Sequence, residues 1–199
     1  MQFIIGLRKI MKNNLKNDII SFEGDKIMKK LLVVVDYQVD FVSGALGFDA
    51  ALSLEDKIVD KIIEFENNDD EVIFTLDTHY ENYHETVEGV NLPIAHCIKG
   101  TKGHELYGEV KNLSLIHKVF EKETFGSSRL FNYLMENKYD EIYFCGVVTN
   151  ICVISNAVVA KAALPNANIY ILKDLVASND KEIEEKSFDI MRNLHMQII

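Results

Sequence analysis

Near-continuous apolar runs alternate with stretches of helical period along this chain, and that alternation restricts its fold more than any other feature. LLVVV at 31–35, EVIFTL at 71–76, IYF at 142–144 and NIYILK at 168–173 read as strands. A strand with one wet face alternates polar and apolar residues, whereas a strand buried on both faces does not. Between the runs, residues 52–67 carry Leu54, Ile58, Ile62 and Phe65 at helical spacing. SSRLFNYLMENK at 127–138 and the charged stretch 180–194 read as further helices. A strand is expected over roughly 115–120, and MQII at 196–199 as a last edge strand. Strands that alternate with helices and are buried on both faces make a parallel sheet covered by helices on each side, an α/β three-layer fold.

Composition sets the outer bounds. The chain has 199 residues, 48% of them hydrophobic, enough for one globular domain with a sizeable core. That domain is expected over residues 28–199, because MKKLLVVVD reads as a natural chain start. Residues 1–27 mix Lys, Asn and Ile without period and read as an N-terminal extension, disordered or from a non-native start; a short surface helix is the alternative. The formal net charge of −10 argues against nucleic acid and anionic membrane as partners. No apolar run approaches the roughly 18 residues that span a bilayer. The opening residues lack a signal-peptide core and cleavage site. Three cysteines, Cys97, Cys145 and Cys152, are too sparse and odd in number for a disulfide framework. A cytoplasmic protein in a reducing compartment is expected, working as a homo-oligomer.

One stretch, EIYFCGVVTNICVISNAVVAKAA at 141–163, joins a β-forming run to a helical one through Gly146. It predicts strand, tight turn and helix, with Cys152 in the first helical turn. Unpaired N–H groups at a helix start lower a thiol's pKa. In open α/β sheets, ligands bind outside the carboxyl ends of the strands. The polar residues expected there are Asp36, then Asp77 and His79, then Lys122, then the segment 148–152. Each alone is more simply a cap or a solvated side chain, but all of them at one edge make a candidate site. The polar segment 78–112 holds four of the six histidines, and a loop of that length inside a domain is functional or disordered.

DYQVDF at 36–41, FEKETF at 120–125 and GVVTNICV at 146–153 resemble the three motifs of the isochorismatase-like cysteine hydrolases. LDTH at 76–79 with LPIAHCIKGTKGHEL at 92–106 is similar to the metal loop of the nicotinamidase (pyrazinamidase) branch. The resemblance runs from Lys30 to Ile199 and implies a six-stranded parallel sheet. It implies a catalytic triad of Cys152, Asp36 and Lys122, with Lys122 preferred over Lys118, and an oxyanion hole from the backbone N–H groups of Val148 and Cys152 after a cis peptide at 147–148. It implies a divalent metal, Zn first and Fe or Mn next, on Asp77, His79 and His96, with Glu88 as a further ligand. Gln38, Phe41 and Phe125 would shape the substrate pocket. The implied reaction is hydrolysis of nicotinamide to nicotinate and ammonia through a cysteine thioester, a step of NAD salvage. Another small amide or carbamoyl compound is the alternative substrate. Thr78, Pro93 and Asn150 depart from residues common in the family and bear on pocket size.

Two readings from other classes are weaker. A phosphoacceptor signalling domain pairs two acids after its first strand, but Asp36 is followed by Tyr37. A non-catalytic metal-binding module using His96 and Cys97 has no use for Asp36 and Lys122.

Overall fold

A computed structural model describes residues 28–199; the extension read at 1–27 lies outside them. The described chain begins with β1 (Lys30–Val35), two short helices α1 (Val39–Val42) and α2 (Asp49–Leu52), the longer α3 (Glu55–Asn67), and β2 (Glu71–Asp77). A long segment follows, holding α4 (Val87–Asn91), α5 (Gly108–Ser114) and two short 3-10 turns. Then come β3 (Lys118–Lys122), α6 (Ser128–Glu136), β4 (Glu141–Val147), α7 (Ile154–Ala163), β5 (Asn168–Ala177), α8 (Lys181–Asn193) and β6 (Gln197–Ile198). The six strands form one sheet in the order β3-β2-β1-β4-β5-β6, and every pairing is parallel. No helix among the described residues is long and apolar enough to cross a membrane.

The doubly buried strands divide their side chains between two cores. Leu31, Val33 and Val35 of β1 join Leu130 and Leu134 of α6, Ala157 and Ala160 of α7, and Phe188 of α8. Leu32 and Val34 face the other way, onto Ile58, Ile62 and Phe65 of α3 and Val110 of α5. Each fully buried aliphatic side chain contributes about 1.5–3 kcal/mol, so the sheet's centre is the most stable part of the molecule.

This topology places the site. Connections run outward from β1 in one direction to β2 and β3, and in the other to β4 and beyond. The switch point therefore lies between β1 and β4, and a crevice opens outside their carboxyl ends. Asp36 follows β1 there, and the Val147–Val148 peptide, which is cis, follows β4.

Three boundaries differ from the sequence expectation. The third strand is Lys118–Lys122 rather than 115–120; Leu115 and Ile116 are exposed at its approach. It is an edge strand, so burial does not mark it with a continuous apolar run. The segment 78–112 is mostly ordered turns and helix rather than loop. Gly146 does not end its strand. It pairs with Val35 at φ +105, and a Cβ there would stand 2.1 Å from the Val35 carbonyl oxygen. Gly146→Ala should therefore cost well over 1 kcal/mol, at about 2–4 °C of melting temperature for each. An unshifted thermal melt would show that β1 and β4 can separate to admit the methyl group.

Candidate active site and metal centre

Three neighbouring strands deliver charge to one point. Lys122 ends β3 and pairs in register with Asp77, which ends β2. Its ammonium reaches past β2 to Asp36 Oδ2 at 2.7 Å, while holding Asp77 Oδ1 at 3.0 Å and donating to Cys152 Sγ at 3.5 Å. All four side chains are buried. Asp36 sits in the left-handed region at φ +44, and its Oδ1 accepts from the Thr75 hydroxyl at 2.7 Å. Burial alone would push Lys122 down, but Asp36, Cys152 and Asp77 hold it well above the usual lysine range. Burial pushes the Asp36 carboxyl up, and Lys122 only partly reverses this.

The structure brings Asp36, Lys122 and Cys152 together, and it separates Lys118. Lys118 opens β3 at the far end of the sheet, half in solvent, bound to Glu71 at 2.9 Å and Tyr133 Oη at 3.1 Å. On the hydrolase chemistry that the sequence resemblance implies, Lys122→Ala should strip the rate by about a hundredfold or more. It should also cost about 3–5 kcal/mol of stability, since it leaves Asp36 and Asp77 facing each other in the core. Lys118→Ala should change stability by about 1 kcal/mol or less and leave the rate alone. Ammonia-release kinetics and thermal melts of the two variants test this ranking; the reverse order would move the site to the other end of β3.

The environment of Cys152 corrects one expectation. Its pKa is not lowered. Complete burial pushes the thiol well up, Lys122 pulls it back, and Asp36 and Asp77 push it up again. Cys152 also precedes the regular helix. It lies in a widened, π-type turn, Thr149–Val153, and α7 begins only at Ile154. The sulfur therefore stands beside a base, Asp36, and a cation, Lys122, that act on it in opposite directions. Asn156, which no sequence signal marked, holds this turn: its amide donates to the carbonyls of Cys152 (2.8 Å) and Phe125 (3.0 Å), and its oxygen accepts from Ser127 N (3.0 Å).

Beside the thiol lies a second cluster. Asp77, His79, Glu88 and His96 point one ligand atom each to a common centre, all within 4.8 Å of one another. His79 Nε2 stands 2.9 Å from Asp77 Oδ2 and 3.6 Å from Glu88 Oε1; His96 Nε2 stands 3.4 and 3.5 Å from the same two atoms. Backbone pairing sets this geometry. His79 N donates to Cys97 O (3.0 Å) and Lys99 N to His79 O (2.8 Å), so the returning loop runs beside the strand end. Asp40 clips the same loop down, accepting from Cys97 N at 2.7 Å. Glu88 arrives on α4, whose first turn is capped by the Thr86 hydroxyl.

The residues suit a cation. His79 Nε2 is buried and makes no aligned hydrogen bond, an orphan that an ion would satisfy. His96 Nδ1 is engaged with the Ile94 carbonyl at 2.8 Å, which turns its Nε2 inward. Burial would lower both imidazoles, yet Asp77 and Glu88 hold each up at about 9. The two histidines in turn hold Glu88 down at about 2. Two imidazoles with two carboxylates suit Zn, Fe or Mn.

A cavity of about 340 Å³ connects the two clusters, lined by Cys152, Asp77, Glu88 and His96 and walled by Phe41 and Phe125. Gln38 takes a different place from the pocket wall expected for it. It is fully buried, accepting from Asp77 N (2.8 Å) and donating to the carbonyls of Asp77 (2.9 Å) and His104 (2.9 Å). It fixes the backbone of Asp77 and does not reach the cavity. His104, in the same segment, is buried against the Thr78 hydroxyl at 2.9 Å.

A family model described as "Isochorismatase domain" matches residues 30–199. A Bacillus subtilis protein described as an uncharacterized isochorismatase family protein, PncA, is 34% identical over 167 residues, covering 78% of this chain and 90% of its own. A crystal structure of nicotinamidase PncA from Bacillus subtilis superposes with a TM-score of 0.76 at 32% identity, covering 86% of this chain and 99% of that one. A pyrazinamidase of Pyrococcus horikoshii, solved in complex with zinc, superposes with a TM-score of 0.77 at 27% identity over 86% and 98% of the two chains.

Proposed function

The chain belongs to the isochorismatase family, and from that premise we propose that it is a metal-assisted cysteine amidohydrolase that converts nicotinamide to nicotinate and ammonia. The observation that carries this reading is the shared cavity. It is lined by the Cys152 thiol, behind which the Asp36–Lys122 pair is buried, and by three of four convergent metal-ligand side chains, and its walls are aromatic.

The chain's own residues account for the steps. Asp36, its carboxyl pushed up by burial, is suited to take the Cys152 thiol proton as Sγ attacks the amide carbon. The C–S bond forms and the carbonyl electron pair moves onto oxygen, where the N–H groups of Val148 and Cys152 receive it. Collapse breaks the C–N bond, and the nitrogen takes the Asp36 proton and leaves as ammonia. Water then attacks the thioester and gives a proton to Asp36. The C–S bond breaks, Sγ regains the proton, and the acid departs. Lys122 stays charged throughout, steadying Asp36 and the sulfur as charge develops. A divalent ion held by Asp77, His79, His96 and Glu88 would supply a Lewis-acidic anchor for the ring nitrogen. Zn fits this donor set first, with Fe and Mn next.

Ammonia release from a panel of small amides tests the reading, with nicotinamide expected to be the fastest. Faster turnover of a carbamoyl compound would replace it with the broader cysteine amidase reading.

A further inference from the structure

The turn that presents Cys152 is tied to α8 by a buried carboxylate that the mechanism above does not use. Glu184 lies in the first turn of α8, on the face turned to the sheet, and is only 5% exposed. Its Oε1 accepts from the hydroxyl of Thr149, itself fully buried, at 2.7 Å. Its Oε2 meets the ammonium of Lys181 at 2.8 Å, and that lysine is mostly in solvent. The helix start is firm: Asp180 caps it, accepting from Glu182 N and Ile183 N at 3.0 Å. A second tie runs parallel, from the Ser178 hydroxyl to Asn150 Oδ1 at 2.6 Å.

Thr149 is the first residue of the turn and directly follows Val148, so both N–H groups that would face the oxyanion lie within three residues of this bond. A carboxylate is costly to bury beside an apolar core. A neutral acceptor or a methyl group would serve packing equally well. A charged acceptor forms a stronger bond to a hydroxyl than a neutral one does, and rigid aim is what an oxyanion hole needs.

We propose that Glu184 is a positioning residue: through the Thr149 hydroxyl it holds the 148–152 turn so that the N–H groups of Val148 and Cys152 aim at the developing oxyanion. The catalytic consequence rests on the amidase reading; the effect on the turn does not.

Glu184→Ala and Thr149→Val should each lower kcat about tenfold to a hundredfold while KM stays within about twofold, the pattern of an interaction made in the transition state. The double variant should be no worse than either single one, because both remove one bond. Glu184→Gln keeps an acceptor oxygen and should lose less than Glu184→Ala. Thr149→Ser should recover most of what Thr149→Val loses. Amide hydrogen exchange supplies a readout independent of any substrate: in Glu184→Ala the amides of residues 148–153 should exchange faster, with those of β1 and β4 unchanged. Unaltered exchange in that turn, or a melting temperature that falls while kcat holds, overturns the proposal and leaves Glu184 a packing residue. If the intact protein hydrolyses no amide, the amidase reading fails, and the exchange experiment still decides the role of Glu184.

Discussion

Cys152→Ala should abolish amide hydrolysis, lowering kcat by about 10⁴-fold or more, as loss of a covalent nucleophile does elsewhere. The protein should nonetheless fold. Cys152 contributes one buried sulfur to a large core, and its removal should cost only about 1 kcal/mol. Asp36→Asn should be nearly as inactive for a different reason: the amide cannot take the thiol proton, and burial holds that thiol above its ordinary range even with Lys122 pulling it back. The measurements are ammonia release under saturating substrate and a thermal melt. Mass spectrometry of quenched intact enzyme, which detects the acyl adduct on Cys152, tests the covalent step directly. Substantial turnover by a folded Cys152→Ala protein would remove the thiol from the chemistry.

Removal of the metal should have the second largest effect. His96→Ala deletes one of four convergent side chains and leaves Asp77 and Glu88 without one of their two histidines. The protein should then lose divalent metal on elemental analysis, and kcat/KM for nicotinamide should fall by about a hundredfold or more, because orientation of the reacting amide can supply several kcal/mol of the barrier. Chelation of the intact protein should do the same, and added zinc should restore it. Benzamide supplies the matching control from the substrate side. It has the same ring shape and amide but no ring nitrogen, and a site built around a polar anchor rejects an analogue lacking the partner, here by about a hundredfold at least. Equal turnover of benzamide and nicotinamide, or full activity with no bound metal, would falsify the anchored reading and leave a plainer cysteine amidase.

Much of this site was legible because α/β architecture converts local sequence into position. Asp36 follows an apolar run, Asp77 follows another, and Lys122 lies two residues past the strand expected over 115–120. A residue that closes a parallel strand necessarily stands at the carboxyl edge. Lys118 and Lys122 show the limit of that rule. Both lie on one edge strand with no continuous apolar run to frame it, so the sequence alone starts that strand three residues too early. The ladder to β2, which pairs Lys122 with Asp77, sets the strand's ends.

Residues that act across the fold were less visible. Asn156, Asp40 and Glu184 each make their decisive contact with a segment at least 30 residues away or on another element, and no spacing rule marks such a contact. Gln38 was visible as a motif residue but was assigned to the pocket wall. Its 39-residue reach to Asp77 turns it inward instead. Period, apolar runs and strand-end polarity determined the layers, the sheet and the edge at which chemistry collects, because those depend on neighbours within a turn or a strand. The upward shift of the Cys152 thiol, the inward turn of Gln38 and the bracing of the turn were decided only by tertiary structure. They depend on burial and on charges from four or more separate elements, and only the packed chain brings those within a few ångströms of one another.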